Sequence, residues 1–153
     1  IDEIMKARAD LLPHAKLAIL TNGAHLDSRK VVEAVNRLDE RVLKVDVGNE
    51  KLFKQLNSPL SRASLTSLIA NARLLKDFTV QAMFVQGAVD NTQGTDLEDW
   101  IEVMGLLRPK AIHIHTVTRV PSTNGLKPVD EDTLYTIASK LERRTHLKSL
   151  IFP

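Results

Sequence analysis

The 153-residue sequence has no cysteine, which excludes a disulfide scaffold and fits a cytoplasmic protein. No apolar run approaches the roughly 20 residues of a membrane-spanning helix, and no signal-peptide pattern heads the sequence. Aromatic residues are scarce at 4%, and the net charge of +2 is spread thinly. Without a concentrated basic patch or interleaved aromatics, nucleic acid is not the expected partner. Only Arg143-Arg144 and nearby lysines cluster, which reads as a solvated helix end whose cations suit the helix dipole. No GxGxxG follows any apolar run, so the phosphate fingerprint of dinucleotide folds is missing. Internal repeats, low-complexity tracts and linkers are also lacking, and 43% hydrophobic with 26% charged residues suits one globular domain over 1–153.

What is present alternates. Ile1, Ile4, Met5, Ala9 and Leu12 share a helical face that Pro13 ends. Lys16 to Leu20 is a short strand, and Asp27 or Ser28 caps a helix pointing Val31, Val35 and Leu38 inward. Ser64 caps a helix over Leu65 to Leu75, striped by Leu65, Leu68, Ile69, Ala72 and Leu75. Phe78 to Val85 is a strand. Thr95 and Glu98 have the capping-box spacing for a helix through Leu107, buried through Leu97, Ile101, Met104 and Leu107. Ala111 to Val117 is a strand, residues 121–128 are a turn-rich loop, and Asp130 caps Glu131 to Leu141 with Leu134, Ile137, Ala138 and Leu141 inward. Leu147 to Phe152 is a last edge strand. Such alternation predicts an α/β fold with a parallel sheet, and the missing fingerprint favours a partial (β/α) TIM-like barrel over a doubly wound sheet.

The stretch Arg41 to Pro59 organises the rest. Val42, Leu43, Val45 and Val47 form an apolar run expected of a strand covered on both faces. Lys44 and Asp46 fall on one side of it, where they need water, each other or a ligand. Gly48 breaks the strand, Asn49 caps, and Glu50 to Leu56 form a short helix closed by Asn57-Ser58-Pro59. In open sheets and barrels alike, ligands sit at the C-terminal strand ends. That rule singles out Asn22, Asp46, Gln86 and the segment from His115 to Arg119.

His113 and His115 alternate on one strand and could share a metal in the manner of an amidohydrolase-type barrel. The competing reading is a pair of histidines hydrogen-bonded inside the barrel. Arg119 could hold a carboxylate or phosphate at the rim, and Asp90, Asn91 and Thr92 form a polar loop at the same end. A noncatalytic binding module is the third alternative.

The Lys44-Val45-Asp46 strand with its following Glu50 to Pro59 turn resembles the radical S-adenosylmethionine (radical SAM) superfamily. So do Thr21-Asn22-Gly23, Phe84-Val85-Gln86-Gly87 and Val120-Pro121, in that order. The resemblance implies an iron-sulfur oxidoreductase or transferase with S-adenosylmethionine and a [4Fe-4S] cluster as cofactors. It implies that Asp46 meets the cosubstrate ribose, that Gln81 reaches its methionine carboxylate, and that the segment around Val85 packs beside adenine. Asn22, Lys44, His115 and Val117 would complete the cosubstrate contacts, with Asn91 and Arg119 turned to substrate. That superfamily builds its cluster on a CxxxCxxC loop upstream of the Thr-Asn-Gly segment, and this sequence has none. The chain is therefore expected to be the C-terminal part of a larger enzyme, inactive without its preceding segment. Within the superfamily it is similar to tRNA wyosine-type members, which keeps a tRNA substrate open, and to glycyl-radical activating enzymes. A strand deprived of its neighbour would also favour self-association through the exposed sheet edge.

Overall fold

The computed structural model describes residues 1–59, 63–119 and 125–153. In chain order the elements are α1 (Asp2–Leu11), β1 (Ala18–Thr21), α2 (Arg29–Val35), β2 (Glu40–Lys44), α3 (Glu50–Asn57) and α4 (Leu65–Ala72). There follow β3 (Thr79–Phe84), β4 (Gln86–Gly87), α5 (Gly94–Leu107), β5 (Ala111–Thr116), β6 (Leu126–Lys127), α6 (Glu131–Thr145) and β7 (Ser149–Phe152).

Five strands pair in the order β1-β2-β3-β5-β7, all parallel, so spatial order follows chain order. Successive right-handed crossovers in one direction put every connecting helix on the same side of the sheet, as in a barrel. Burial confirms the sidedness. Leu43, Val80, Ala82, Phe84, Ile112 and Ile114 are fully buried in one cluster with Leu68, Leu97, Ile101, Leu134 and Leu141 from the helices. Each of these side chains larger than alanine contributes about 1.5–3 kcal/mol by leaving water. Alternate residues face the other way, and among the described residues no layer of helices packs on them, which leaves Leu20 60%, Leu150 55% and Phe152 42% exposed while Thr79 and Asp46 are buried. The fold is thus a partial (β/α) barrel, an open parallel sheet with helices outside and a bare inner face.

That bare face corrects one expectation: β2 is covered on one side only, and Val42 and Lys44 are half-buried. Val32 rather than Val31 joins Val35 in the core. The apolar face of α1 is not used, because none of its residues is buried and Leu11 and Leu12 are open to solvent. The capping box at Thr95 does not form either. Helix α5 begins two residues earlier, at Gly94 with Gln93 in the capping position, and Glu98 turns outward to pair with Lys140 and Arg144 of α6. Neither Asp27 nor Ser28 makes a side-chain cap on α2. The caps on α3, α4 and α6 form as expected: Asn49, Ser64 and Asp130 accept from Leu52 N, Ser67 N and Thr133 N. A two-stranded antiparallel ribbon of β4 and β6, for which no alternation in the sequence calls, stands apart from the main sheet. Gly87 makes it possible, since its φ is +103° and a Cβ there would sit 2.2 Å from the Gly125 oxygen. No helix among the described residues is long and apolar enough to cross a membrane.

Candidate functional site at the C-terminal strand ends

Asp46 lies just past β2 and is 1% exposed. Its carboxylate binds Lys44 Nζ, accepts from Asn57 Nδ2 at 2.7 Å, and takes the backbone Met83 N–H at 2.9 Å. The lysine and aspartate have therefore found each other. With the last bond, Asp46 continues the β2-β3 pairing by side chain where the backbone ladder stops at Val45 N and Gln81 O.

Asn91 completes that splice. Its Nδ2 donates to the carbonyls of Asp46 at 2.8 Å and Met83 at 2.9 Å, and its Oδ1 accepts from Val85 N at 2.8 Å. It is 1% exposed. Every polar group of its side chain serves the backbone. Beneath, Trp100 of α5 donates from Nε1 to Val45 O at 3.0 Å and meets Phe84 edge-on, with centroids 4.9 Å apart. Asp90 turns the same loop by accepting from Thr92 N and Oγ1 at 2.8 and 2.7 Å. Burial pushes its pKa up, but these bonds and one from Gln93 outweigh it and hold the group below the usual carboxylate value.

On the bare inner face, Gln81 of β3 and His115 of β5 meet through their side-chain nitrogens at 3.2 Å. His115 also stacks on Phe152 of β7, with centroids 4.7 Å apart and planes within 7°. Its pKa is lowered, first by burial and then by the charge of His113; that of His113 is lowered by burial and then by Lys110. The two imidazoles do share a side, with centroids 6.4 Å apart. No group of three or more His, Cys, Asp or Glu among the described residues is placed to hold a metal ion. Val85 is fully buried, Val117 half-buried beyond β5, and Arg119 exposed two residues further on. Val120-Pro121 and the rest of the first half of the 121–128 loop, through residue 124, lie outside the described residues.

Asn22 follows β1 and shapes its own turn, accepting from Ala24 N at 3.1 Å. It borders a cavity of about 450 Å³ between the end of β2 and helices α3 and α4, lined also by Lys44, Phe53, Leu56, Asn57 and Leu68. The unheralded partner is Asn57, expected only to close a helix. Its buried Oδ1 has no donor among the described residues.

The class these features define is a β/α-barrel segment with its polar groups gathered at the C-terminal rim. No known family profile matches the sequence, and no curated protein matches it. Among solved structures the chain is similar to a domain of pyruvate-formate lyase-activating enzyme from Bacteroides vulgatus, at 13% identity and a TM-score of 0.73, covering 99% of this chain and 88% of that one. It is similar to a radical SAM methyltransferase from Sphaerobacter thermophilus, at 14% identity and a TM-score of 0.65, covering 88% and 39%. It is also similar to Streptococcus suis SuiB bound to S-adenosylmethionine, at 16% identity and a TM-score of 0.67, covering 99% and 36%. At these identities the likeness is one of fold. The chain spans well under half the length of the methyltransferase and of SuiB.

Proposed function

We propose that this chain forms the later strands of a radical SAM barrel and holds S-adenosylmethionine across its bare inner face, at the C-terminal ends of β3, β5 and β7. The fold likeness supports the class, and the observation that carries the site is the group Gln81, His115 and Phe152. The stacked His115 and Phe152 rings offer a flat aromatic surface of the kind a purine packs on. Gln81 holds the imidazole in place, and with its amide donating to Nε2 the proton of the neutral ring sits on Nδ1. Depression of the His115 pKa keeps that ring uncharged near neutrality, which suits a cationic sulfonium ligand nearby. Arg119, exposed beyond β5, is available to an anionic group of the substrate.

An iron-sulfur cluster does not fit this chain, which contributes no thiolate. Its ligands would come from a preceding segment of the same polypeptide, for which the terminal place of β1 in the sheet, unpaired on its outer side among the described residues, leaves room. The hard chemistry would be supplied by that cluster and the cosubstrate, outside this chain's own residues. The part of this segment is to bind, orient and shield.

Calorimetric titration of S-adenosylmethionine into the complete, cluster-reconstituted enzyme tests the reading. His115→Ala and Gln81→Leu should each weaken binding about tenfold, the worth of one aromatic contact or hydrogen bond. Unchanged affinity in both variants would remove the site from the inner face.

A further inference from the structure

The main sheet ends at β7, and among the described residues nothing pairs with the outer side of that strand. Ile112 N–H donates to the Lys148 carbonyl at 3.0 Å, and Ile112 and Ile114 stand opposite Ser149 and Ile151. In a parallel ladder of that phase, residues 148, 150 and 152 turn their backbone groups to β5, while Ser149 and Ile151 turn theirs outward. The outward groups are not equivalent. Glu142 of α6 accepts the Ser149 N–H at 2.9 Å and the Ser149 hydroxyl at 2.7 Å. The next outward position falls on Pro153, which has no N–H to give. Among the described residues of this edge, Ile151 alone therefore offers both a donor and an acceptor, and an edge guarded in this way admits few registers of a new strand.

We infer that a second copy of this chain docks on this edge, its β7 antiparallel to the first about a two-fold axis at Ile151. The two Ile151 residues then exchange both N–H···O bonds. Ser149 faces the partner's Pro153, so neither the engaged Ser149 amide nor the missing proline N–H is called on. An axis at Leu150 or Ser149 would instead require the N–H that Glu142 holds. Three further features agree with this register. On the inner face the exposed Leu150 meets the partner's exposed Phe152, and the reverse pair forms across the axis. On the helix side, the partner's Ile151 enters the groove that Tyr135, Ala138 and Ser139 line beside β7. Charge is complementary as well: α6 carries Glu131 and Asp132 in its first turn and Arg143 and Arg144 in its last, so two antiparallel copies bring the acidic end of each toward the basic end of the other. The partner's Leu150 would border the His115 and Phe152 rings, but the pairing does not depend on what binds there.

Sedimentation and disulfide trapping on the full polypeptide test this, since the preceding segment proposed above covers β1 there and leaves β7 as the free edge. The protein should sediment as a dimer. Ile151→Cys sets the two substituted Cα atoms about 5.5 Å apart, within reach of a disulfide, whereas Leu150→Cys sets them diagonally at about 7–8 Å. Mild oxidation should therefore join two copies through residue 151 about tenfold faster than through residue 150, with the bridge identified by peptide mapping. Leu150→Glu, at an exposed position, should raise the dimer dissociation constant about tenfold and leave the circular dichroism unchanged, because the two-fold axis counts each substitution twice. Arg143→Glu should weaken the dimer severalfold, and adding Glu131→Arg and Asp132→Arg should restore it. A monomer at all concentrations, trapping through residue 150 in preference to 151, or a dimer indifferent to both Leu150→Glu and Arg143→Glu would each overturn the inference.

Discussion

Replacing Asp46 with alanine is the most direct test of how the strand ends are held. The carboxylate is buried and serves three donors. Lys44 is a third exposed and can turn to water, so its loss adds little. Met83 N and Asn57 Nδ2 lie in part-buried bonds and have less access to water. A buried donor left without an acceptor costs about 1–3 kcal/mol, so the two together predict a loss of about 3–5 kcal/mol. For a chain of this size, at about 2–4 °C per kcal/mol, that is a fall in Tm of roughly 6–20 °C. Asp46→Asn should lose about half as much, since its Oδ1 can still take the Met83 amide while its new NH₂ faces two donors. Urea denaturation should show the midpoint falling with the slope unchanged. A loss below 1 kcal/mol for the alanine variant would mean that these bonds do not hold β2 to β3.

Four further outcomes follow from the packing. At Gly48, an added Cβ would lie 2.1 Å from Asp99 C and Trp100 N, so Gly48→Ala should cost about 1–3 kcal/mol by overpacking, again read from the urea midpoint. Thr95→Ala should be neutral within about 0.5 kcal/mol, because no capping box forms, whereas Asp130→Ala should cost about 1 kcal/mol through its lost cap; thermal melts of the pair decide it. Both histidine pKa values are depressed by folding, so their contribution is full above the ordinary value of 6.5 and is lost as pH falls below it toward the folded values. Stability measured from pH 8 to 5 should decline in that acid window, and His113→Gln with His115→Gln should flatten the decline. The chain alone should self-associate through β1 and the bare inner face, and light scattering that shows a clean monomer at all concentrations would refute this.

Periodicity made the scaffold legible. The β-branched runs marked β2, β3 and β5, and the stripes Leu65-Leu68-Ala72 and Leu134-Ile137-Ala138-Leu141 are the buried faces observed. Such signals are local, and each element carries its own. Partner choice is not local. Lys44 and Asp46 were placed on one side correctly, but their mutual engagement, with Asn57 eleven residues on and Met83 N on the next strand, depends on register. Asn91 read as a loop residue facing substrate, because no pattern distinguishes an asparagine that binds a ligand from one that binds three backbone groups. Thr95 and Glu98 had the right spacing for a cap, yet Lys140 and Arg144 across the helix pair offered Glu98 better partners. In α1 the apolar stripe was real and its burial was not, since periodicity states which residues share a face without saying what covers it.

The asparagine between β3 and α5 grips one carbonyl just past β2, one on β3 and an amide beyond them with one planar group. Such a clamp has no slack: if one tip is pushed aside, the amide plane must tilt and the other tip must follow. A molecule that leans on the end of β2 would therefore be felt at the end of β3, and the mouth of the barrel would respond as one body.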